Sequence, residues 1–189
     1  IKIRTDLGGG IGIRYTDETL LSPGVLLDKV YARLSQEQLD DLQIVLEPGR
    51  SLVGNAGVLL TRVEYLKHTE ARNFAIVDAA MNDLLRPTLY DAWHDVEAVK
   101  QPTASAPAQT YDIVGPICES GDWLAKARSL ALQQGDLLAI MSAGAYAFTM
   151  ASQYNTRPRP AEVMVDGTEF HVVRPREALA DLFASERTL

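Results

Sequence analysis

The 189-residue chain has a single cysteine, Cys118, and only three histidines, His68, His94 and His171. One thiol excludes an internal disulfide framework and a multi-thiolate zinc site, and the histidines fall at no ligand spacing, so no metal is expected. Positive charge is also scarce. Eighteen Lys and Arg against 25 Asp and Glu leave a formal net charge of −7, whereas a general nucleic-acid binder carries a basic face. The chain opens Ile1-Lys2-Ile3-Arg4 without an apolar h-region, so no secretory segment is read there and a cytoplasmic protein is expected. The uncharged stretch Leu137 to Thr156 contains Ser142, Gly144, Ser152, Gln153 and Asn155. It is too polar to face lipid and reads as a buried strand followed by a site-lining helix. Neither nucleic acid nor a membrane is an expected partner. There is also no initiator methionine, and the first residues already read as a core strand, so a processed chain or a piece of a longer one is expected.

What remains is an ordinary globular composition, 47% apolar and 23% charged, long enough for one large domain or two small ones. Residues 1–7 alternate as a strand and meet Gly8-Gly9-Gly10. Ser22-Pro23 opens a helix carrying Val25, Leu26, Val30 and Leu34 at near-helical spacing. Leu42 to Leu46 is a nearly continuous apolar run of the kind buried on both faces of a parallel sheet, and it stops at Glu47-Pro48-Gly49-Arg50. Strand, crossover helix and strand make a βαβ unit whose two loops follow strand C-termini, where α/β folds bind ligands. Beyond about residue 56 the texture turns to β. Strands are expected over 58–65, 74–78, 111–117 and 137–141, with a hairpin of 161–165 and 169–173 about Asp166-Gly167. Helices are expected over 86–93 and 177–184, and 101–109 reads as a loop rich in Pro, Ala and Ser.

Five groups of residues can carry chemistry. Gly8-Gly9-Gly10-Ile11-Gly12 is either a tight turn or a backbone cradle for an anion. It is not the dinucleotide fingerprint, because Ile13 stands where the third glycine belongs. Glu47-Pro48-Gly49-Arg50 places a carboxylate at the end of a buried strand, unfavourable without a cation or donor, beside an arginine able to grip an oxyanion. A helix-start turn with a surface ion pair reads the tetrapeptide equally well. Cys118-Glu119-Ser120-Gly121-Asp122 follows a strand. Its acids do not favour a thiolate, so Cys118 suits proton donation better than nucleophilic attack. Arg86 and Tyr90, four apart, share a helix face and are either a carboxylate clamp or a surface pair. Gly144-Ala145-Tyr146 either lets a tyrosine reach a cavity or buries it in the core.

Together, the segments DLGGGIGI (6–13), EPGRS (47–51), VDAAMNDLLRPTLYDAWH (77–94), GPICESGD (115–122) and GAYAFTMASQYN (144–155) resemble, in order, the C-terminal half of the diaminopimelate decarboxylase family. These are fold-type III pyridoxal-phosphate enzymes, and the resemblance runs over essentially the whole chain. It implies an α/β-plus-β architecture: residues 1–55 as the last strands of a (β/α)8 barrel, and residues 56–189 as a mostly β C-terminal domain. It implies pyridoxal 5'-phosphate as cofactor, a small amino-acid substrate, and a homodimer with a shared active site.

The resemblance also implies roles for individual residues. Gly9, Gly10 and the Gly49-Arg50 backbone would hold the cofactor phosphate, and Glu47 would pair with the pyridine nitrogen. Arg50, Arg86 and Tyr90 would bind substrate carboxylate, and Tyr146 would touch both cofactor and substrate. Cys118 and Glu119 would enter the partner's site, the first as proton donor and the second on the distal amino group. Glu119 after the cysteine fits the diaminopimelate branch, whereas ornithine-type relatives usually place an aspartate there. None of the five lysines, Lys2, Lys29, Lys67, Lys100 and Lys126, lies in the family's Schiff-base motif, so the missing N-terminal barrel half is the expected partner and the chain alone is expected to be inactive. The expected reaction turns meso-diaminopimelate into L-lysine and CO2. Alternatives are a carboxynorspermidine- or ornithine-type decarboxylase, or a non-catalytic regulatory paralogue.

Overall fold

The computed structural model describes residues 4–100 and 107–188. The expectations for residues 1–3 and for most of the 101–109 loop therefore lie outside the described residues. The chain begins with strand β1 (Arg4–Asp6), helix α1 (Pro23–Gln36) and strand β2 (Gln43–Val45). The strands pair in parallel, Arg4 with Gln43 through Asp6 with Val45, as the βαβ reading expects. Ser22 caps α1 by accepting from the Val25 N–H at 3.3 Å, and Pro23 fills the first turn, where its missing N–H is not needed. Within this chain β2 is not buried on both faces. Gln43 is exposed, Ile44 and Val45 are half-buried, and α1 buries no residue at all. Two strands with only each other as neighbours have no second layer to cover them.

After helix α2 (Gly49–Val53) the sheet domain begins. Strands β3 (Leu59–Lys67), β4 (Asn73–Val77), β5 (Val96–Ala98), β6 (Gln109–Val114), β7 (Trp123–Leu130) and β8 (Leu137–Ile140) form one sheet in the order β5-β8-β3-β4-β6-β7. Only β4 and β6 run parallel. Alternate residues turn inward, Val63, Ala75, Val77, Tyr111, Ile113, Leu138 and Ile140 among them, and enclose the core with Leu84 and Leu124. The edge strands β5 and β7 approach each other, and the Arg128 guanidinium donates to the His94 carbonyl at 2.7 Å across that gap, so the sheet is nearly closed. Strands β9 (Glu162–Asp166) and β10 (Glu169–Arg174) form the expected hairpin about Asp166-Gly167.

Two expectations need correction, and two strands were not foreseen. Residues after Ile140 form no helix: Ser142, Tyr146, Asn155 and Thr156 have positive φ, and only short 3₁₀ turns at Phe148–Met150 and Tyr154–Thr156 form. The expected terminal helix is a 3₁₀ turn, Leu179–Phe183. Strands β5 and β7 were not expected: β5 is only three residues long, and the Trp123–Leu130 sequence carries Lys126 and Arg128 and kinks at Ala127, φ 55°. Among the described residues no helix is long and apolar enough to cross a membrane.

The segment from β1 through Gly57 meets the turn after β8 backbone to backbone. Ala143 N–H donates to the Gly57 carbonyl at 2.7 Å and Gly144 N–H to the Gly54 carbonyl at 3.0 Å. A Cβ on Gly144 would fall on the Val53 carbonyl oxygen and 2.9 Å from the Gly57 nitrogen. Further along, Glu177 ties the C-terminal segment to Arg159, accepting from Nε at 2.8 Å and from the backbone N–H at 2.9 Å. The Arg159 side-chain bond, then its backbone bond and one from Gln153, hold the Glu177 carboxyl down to about 2.

Two outcomes are expected. Gly144→Ala should destabilise the protein by about 1–3 kcal/mol or more, read as a lower urea midpoint, because overpacking here meets backbone that cannot yield. The Glu177 clasp should be fully effective above the ordinary carboxylate value of 4.5 and weaken as the pH falls toward 2. Faster amide exchange confined to the segment around 153–177 between pH 4.5 and 2 checks this, and Glu177→Gln should abolish the pH dependence.

Candidate functional site

The glycine loop leaves β1 through hydrogen bonds that set its shape. Gly8 N–H donates to the Asp6 carboxylate at 2.7 Å, and Glu47 N–H to the Gly8 carbonyl at 2.8 Å. Position 9 must be glycine, since a Cβ there would sit 2.7 Å from the Glu47 carbonyl oxygen. These contacts lay the 8–12 loop against Glu47-Pro48-Gly49-Arg50. Between them opens a cleft of about 140 Å³ lined by Gly9, Gly10, Glu47, Gly49, Arg50 and Tyr146, with Ile11, Gly12 and Pro48. All six expected cofactor-side residues are thus brought together. Tyr146 comes from the far side of the Gly57–Gly144 contact, and the Arg50 guanidinium lies 5.3 Å from its ring centre, within cation–π range.

The cleft suits an anionic phosphate. The Gly9 and Gly10 N–H groups have no acceptor among the described residues, and a Cβ at Gly10 or Gly49 would enter open space. Arg50 supplies the cation. Pyridoxal phosphate fits this cleft by that criterion. Glu47 departs from the sequence argument: it is exposed at the cleft and has no cation or donor among the described residues. The burial that would have made its charge unfavourable is absent because β2 is not covered.

Arg86 begins helix α3 (Arg86–Tyr90) and is 7% exposed, whereas Tyr90, at the other end of the same turn, is 63% exposed. The two stand one turn apart on this single-turn helix but differ in burial. No carboxylate among the described residues forms an ion pair with Arg86. Its guanidinium is instead 2.9 Å from His94 Nε2 and 5.1 Å from the Tyr15 ring centre. A nearly buried cation without a counter-charge is unfavourable unless an anion reaches it.

Cys118 and Glu119 do not enter the cleft. They are exposed, on a turn between β6 and β7. Asp122, buried at 4% exposure, holds this turn by accepting from Ile117 N–H and Met81 N–H, each at 2.7 Å. Burial pushes the Asp122 carboxyl above its ordinary value, against the pull of those two donors. Thr88 Oγ1 donates to the Gly121 carbonyl at 2.6 Å, so α3 and the Cys118 turn form one unit. Glu119 accepts at one oxygen from Gly121 N–H at 3.2 Å and at the other from the Tyr154 hydroxyl at 3.4 Å. Sequence reasoning missed Tyr15, His94 and Tyr154. His94 and Tyr154 fall within the segments 77–94 and 144–155 and Tyr15 outside them, but only the fold brings them to Arg86 and Glu119. Among the described residues no group of three or more His, Cys, Asp and Glu could hold a metal.

Comparison with known proteins adds an independent line. Residues 16–144 match the family model for the pyridoxal-dependent decarboxylase C-terminal sheet domain. Diaminopimelate decarboxylase of Pseudomonas aeruginosa is 62% identical over 97% of this chain and 43% of its own length. That of Vibrio cholerae is 54% identical, over 97% of this chain and again 43% of its own length. Among solved structures, diaminopimelate decarboxylase from M. jannaschii superposes with a TM-score of 0.91 at 36% identity, covering 99% of this chain and 43% of that one. The Helicobacter pylori enzyme complexed with L-lysine gives 0.84 at 42% identity, over 97% and 44%. The chain therefore spans less than half the length of the relatives it matches.

Asp122→Asn should keep one of the two backbone bonds and turn an N–H toward the other donor. A loss of about 1–3 kcal/mol is expected, together with faster modification of Cys118 by a thiol reagent as its turn loosens. Unchanged stability and unchanged Cys118 reactivity would refute this account of the turn.

Proposed function

Because the chain belongs to the pyridoxal-dependent decarboxylases, we propose that it is the C-terminal part of a diaminopimelate decarboxylase that converts meso-2,6-diaminopimelate to L-lysine and CO2. The observation that carries the proposal is the single cleft in which Gly9, Gly10, Glu47, Arg50 and Tyr146 converge. In this reading residues 1–55 are the last strands of a (β/α)8 barrel and residues 56–189 the sheet domain. The parallel pair β1–β2, its crossover helix, and the exposed Leu20, Leu21, Val25 and Tyr31 support it, since such strands bury their faces only when flanked by others.

Pyridoxal 5'-phosphate, bound in the cleft, supplies an electron sink for the bond broken on loss of CO2. The chain's own residues would do the rest. The Gly9 and Gly10 N–H groups and the Gly49-Arg50 segment hold the phosphate. Glu47 keeps a proton on the ring nitrogen, and Tyr146 lines the space between cofactor and substrate. Arg50, Arg86 and Tyr90 bind the substrate carboxylates. Cys118 and Glu119 serve the partner subunit's site in a homodimer: the Cys118 thiol gives a proton to the α-carbon, and the Glu119 carboxylate takes the distal ammonium. Their exposure on a turn braced by Asp122 and Thr88 is what such a donated arm requires. The anchoring lysine would come from the barrel half outside this chain.

The test is substrate turnover. The full-length enzyme with pyridoxal phosphate should form L-lysine from meso-2,6-diaminopimelate and turn over ornithine and carboxynorspermidine poorly, and the 189-residue chain alone should form no lysine. Arg86→Ala should lower kcat/KM for diaminopimelate about a hundredfold, the order expected when a charge-assisted bidentate contact is lost. Lysine formation by the isolated chain, or preferred turnover of ornithine, would overturn the proposal.

A further inference from the structure

His94 is completely buried, with no exposed surface, and the roles assigned above leave it unused. Both ring nitrogens are engaged. Nδ1 lies 2.8 Å from the Met141 carbonyl oxygen, which can only accept, so Nδ1 carries the proton. Nε2 lies 2.9 Å from Arg86 Nη1, which can only donate, so Nε2 presents its lone pair. The partners therefore fix one neutral tautomer. Burial, and then the Arg86 and Arg128 charges, hold the ring below its ordinary basicity despite the Met141 carbonyl.

Arg86 is correspondingly directed. One of its N–H groups is taken by His94, and its face is near the Tyr15 ring, which also meets His94 edge-on at 5.6 Å. Its remaining guanidinium nitrogens reach solvent, because the one fully buried side-chain nitrogen without a partner among the described residues is Arg128 Nε. Histidine is the better counterpart here than a carboxylate. A neutral acceptor orients the guanidinium without neutralising it, leaving the full charge for an incoming anion.

We propose that His94 is a positioning residue: its Nε2 lone pair aims Arg86 so that the free N–H groups meet a substrate carboxylate. This rests on the reading of Arg86 as a substrate-binding residue. A second feature supports it. The His94 carbonyl takes the Arg128 bond that helps close the sheet, and its ring is tethered to the end of β8. The direction of Arg86 is thus referred to the side on which the sheet closes.

Two substitutions in the full-length dimeric holoenzyme separate the ring's two bonds. In His94→Asn the amide nitrogen stands near the Nδ1 position, which keeps the Met141 bond and removes the acceptor from Arg86. In His94→Gln the amide oxygen reaches the Nε2 position, which restores the acceptor and gives up the Met141 bond. His94→Asn should raise KM for diaminopimelate about tenfold or more, the order of one hydrogen bond to a charged group, with kcat within about threefold. His94→Gln should recover most of that KM. Equal KM for both variants, while Arg86→Ala still raises it, would overturn the positioning role and leave Arg86 in place. An unchanged KM in Arg86→Ala would overturn the role of Arg86 itself. If His94→Asn does not fold, ¹⁵N resonances of histidine-labelled enzyme decide: the Nδ1–H tautomer with an Nε2 signal that moves on adding pimelate supports the proposal. The opposite tautomer, or a static signal, refutes it.

Discussion

The approach of Gly144 to Gly57 is the contact on which the site depends. Without side chains at either position, the turn after β8 packs directly on the segment leaving α2 and exchanges hydrogen bonds with Gly54 and Gly57. Two residues beyond Gly144, Tyr146 then stands over Arg50. One side of the cleft belongs to the first 56 residues and the other to the sheet domain. The distance between them is set by backbone in van der Waals contact, which is far stiffer than any side-chain contact. The site's dimensions are thus inherited from a junction with no chemistry of its own.

Polar groups buried in the sheet domain serve the same end. Asp122 holds the Cys118 turn through two backbone donors, Thr88 joins that turn to α3, and His94 holds Arg86 at the start of α3. Asp122 and His94 are buried, an unfavourable placement offset by hydrogen bonds with defined directions, and Thr88 is half-buried. An apolar core of equal stability would not have fixed where Arg86, Cys118 and Glu119 point. The residues proposed to touch substrate fall in three places: the cleft, helix α3 and the exposed Cys118 turn.

Much of this was legible in the residue order. The βαβ start, its parallel pairing, the Asp166-Gly167 hairpin and most sheet strands follow from local rules: alternation, a Ser-Pro helix start and a turn dipeptide. The glycine loop and Glu47-Pro48-Gly49-Arg50 were legible because both act largely through backbone, which sequence signals well. Strand β7 was not, because Lys126 and Arg128 disguise it and its place is earned only by pairing with β6. The helix expected after Ile140 was wrong for a related reason. Small and apolar residues permit a helix there, but the junction with Gly57 imposes positive φ at Ser142 and Tyr146.

The sequence by itself determined the family, the mostly β character of the second part and the identity of the residues offered to a cofactor and a substrate, since these reside in residue types at short spacings. Only the tertiary structure decided which of them meet. Arg86 and Tyr90, equivalent on paper, part into a buried cation and an exposed ring. Glu47 lies at the cleft and is exposed in this chain. His94, a scattered histidine in the sequence, becomes the acceptor for Arg86 across eight residues. Hydrogen-bond partners and burial are properties of three-dimensional neighbours, and chain spacing reports them only within a turn of helix or across a short hairpin.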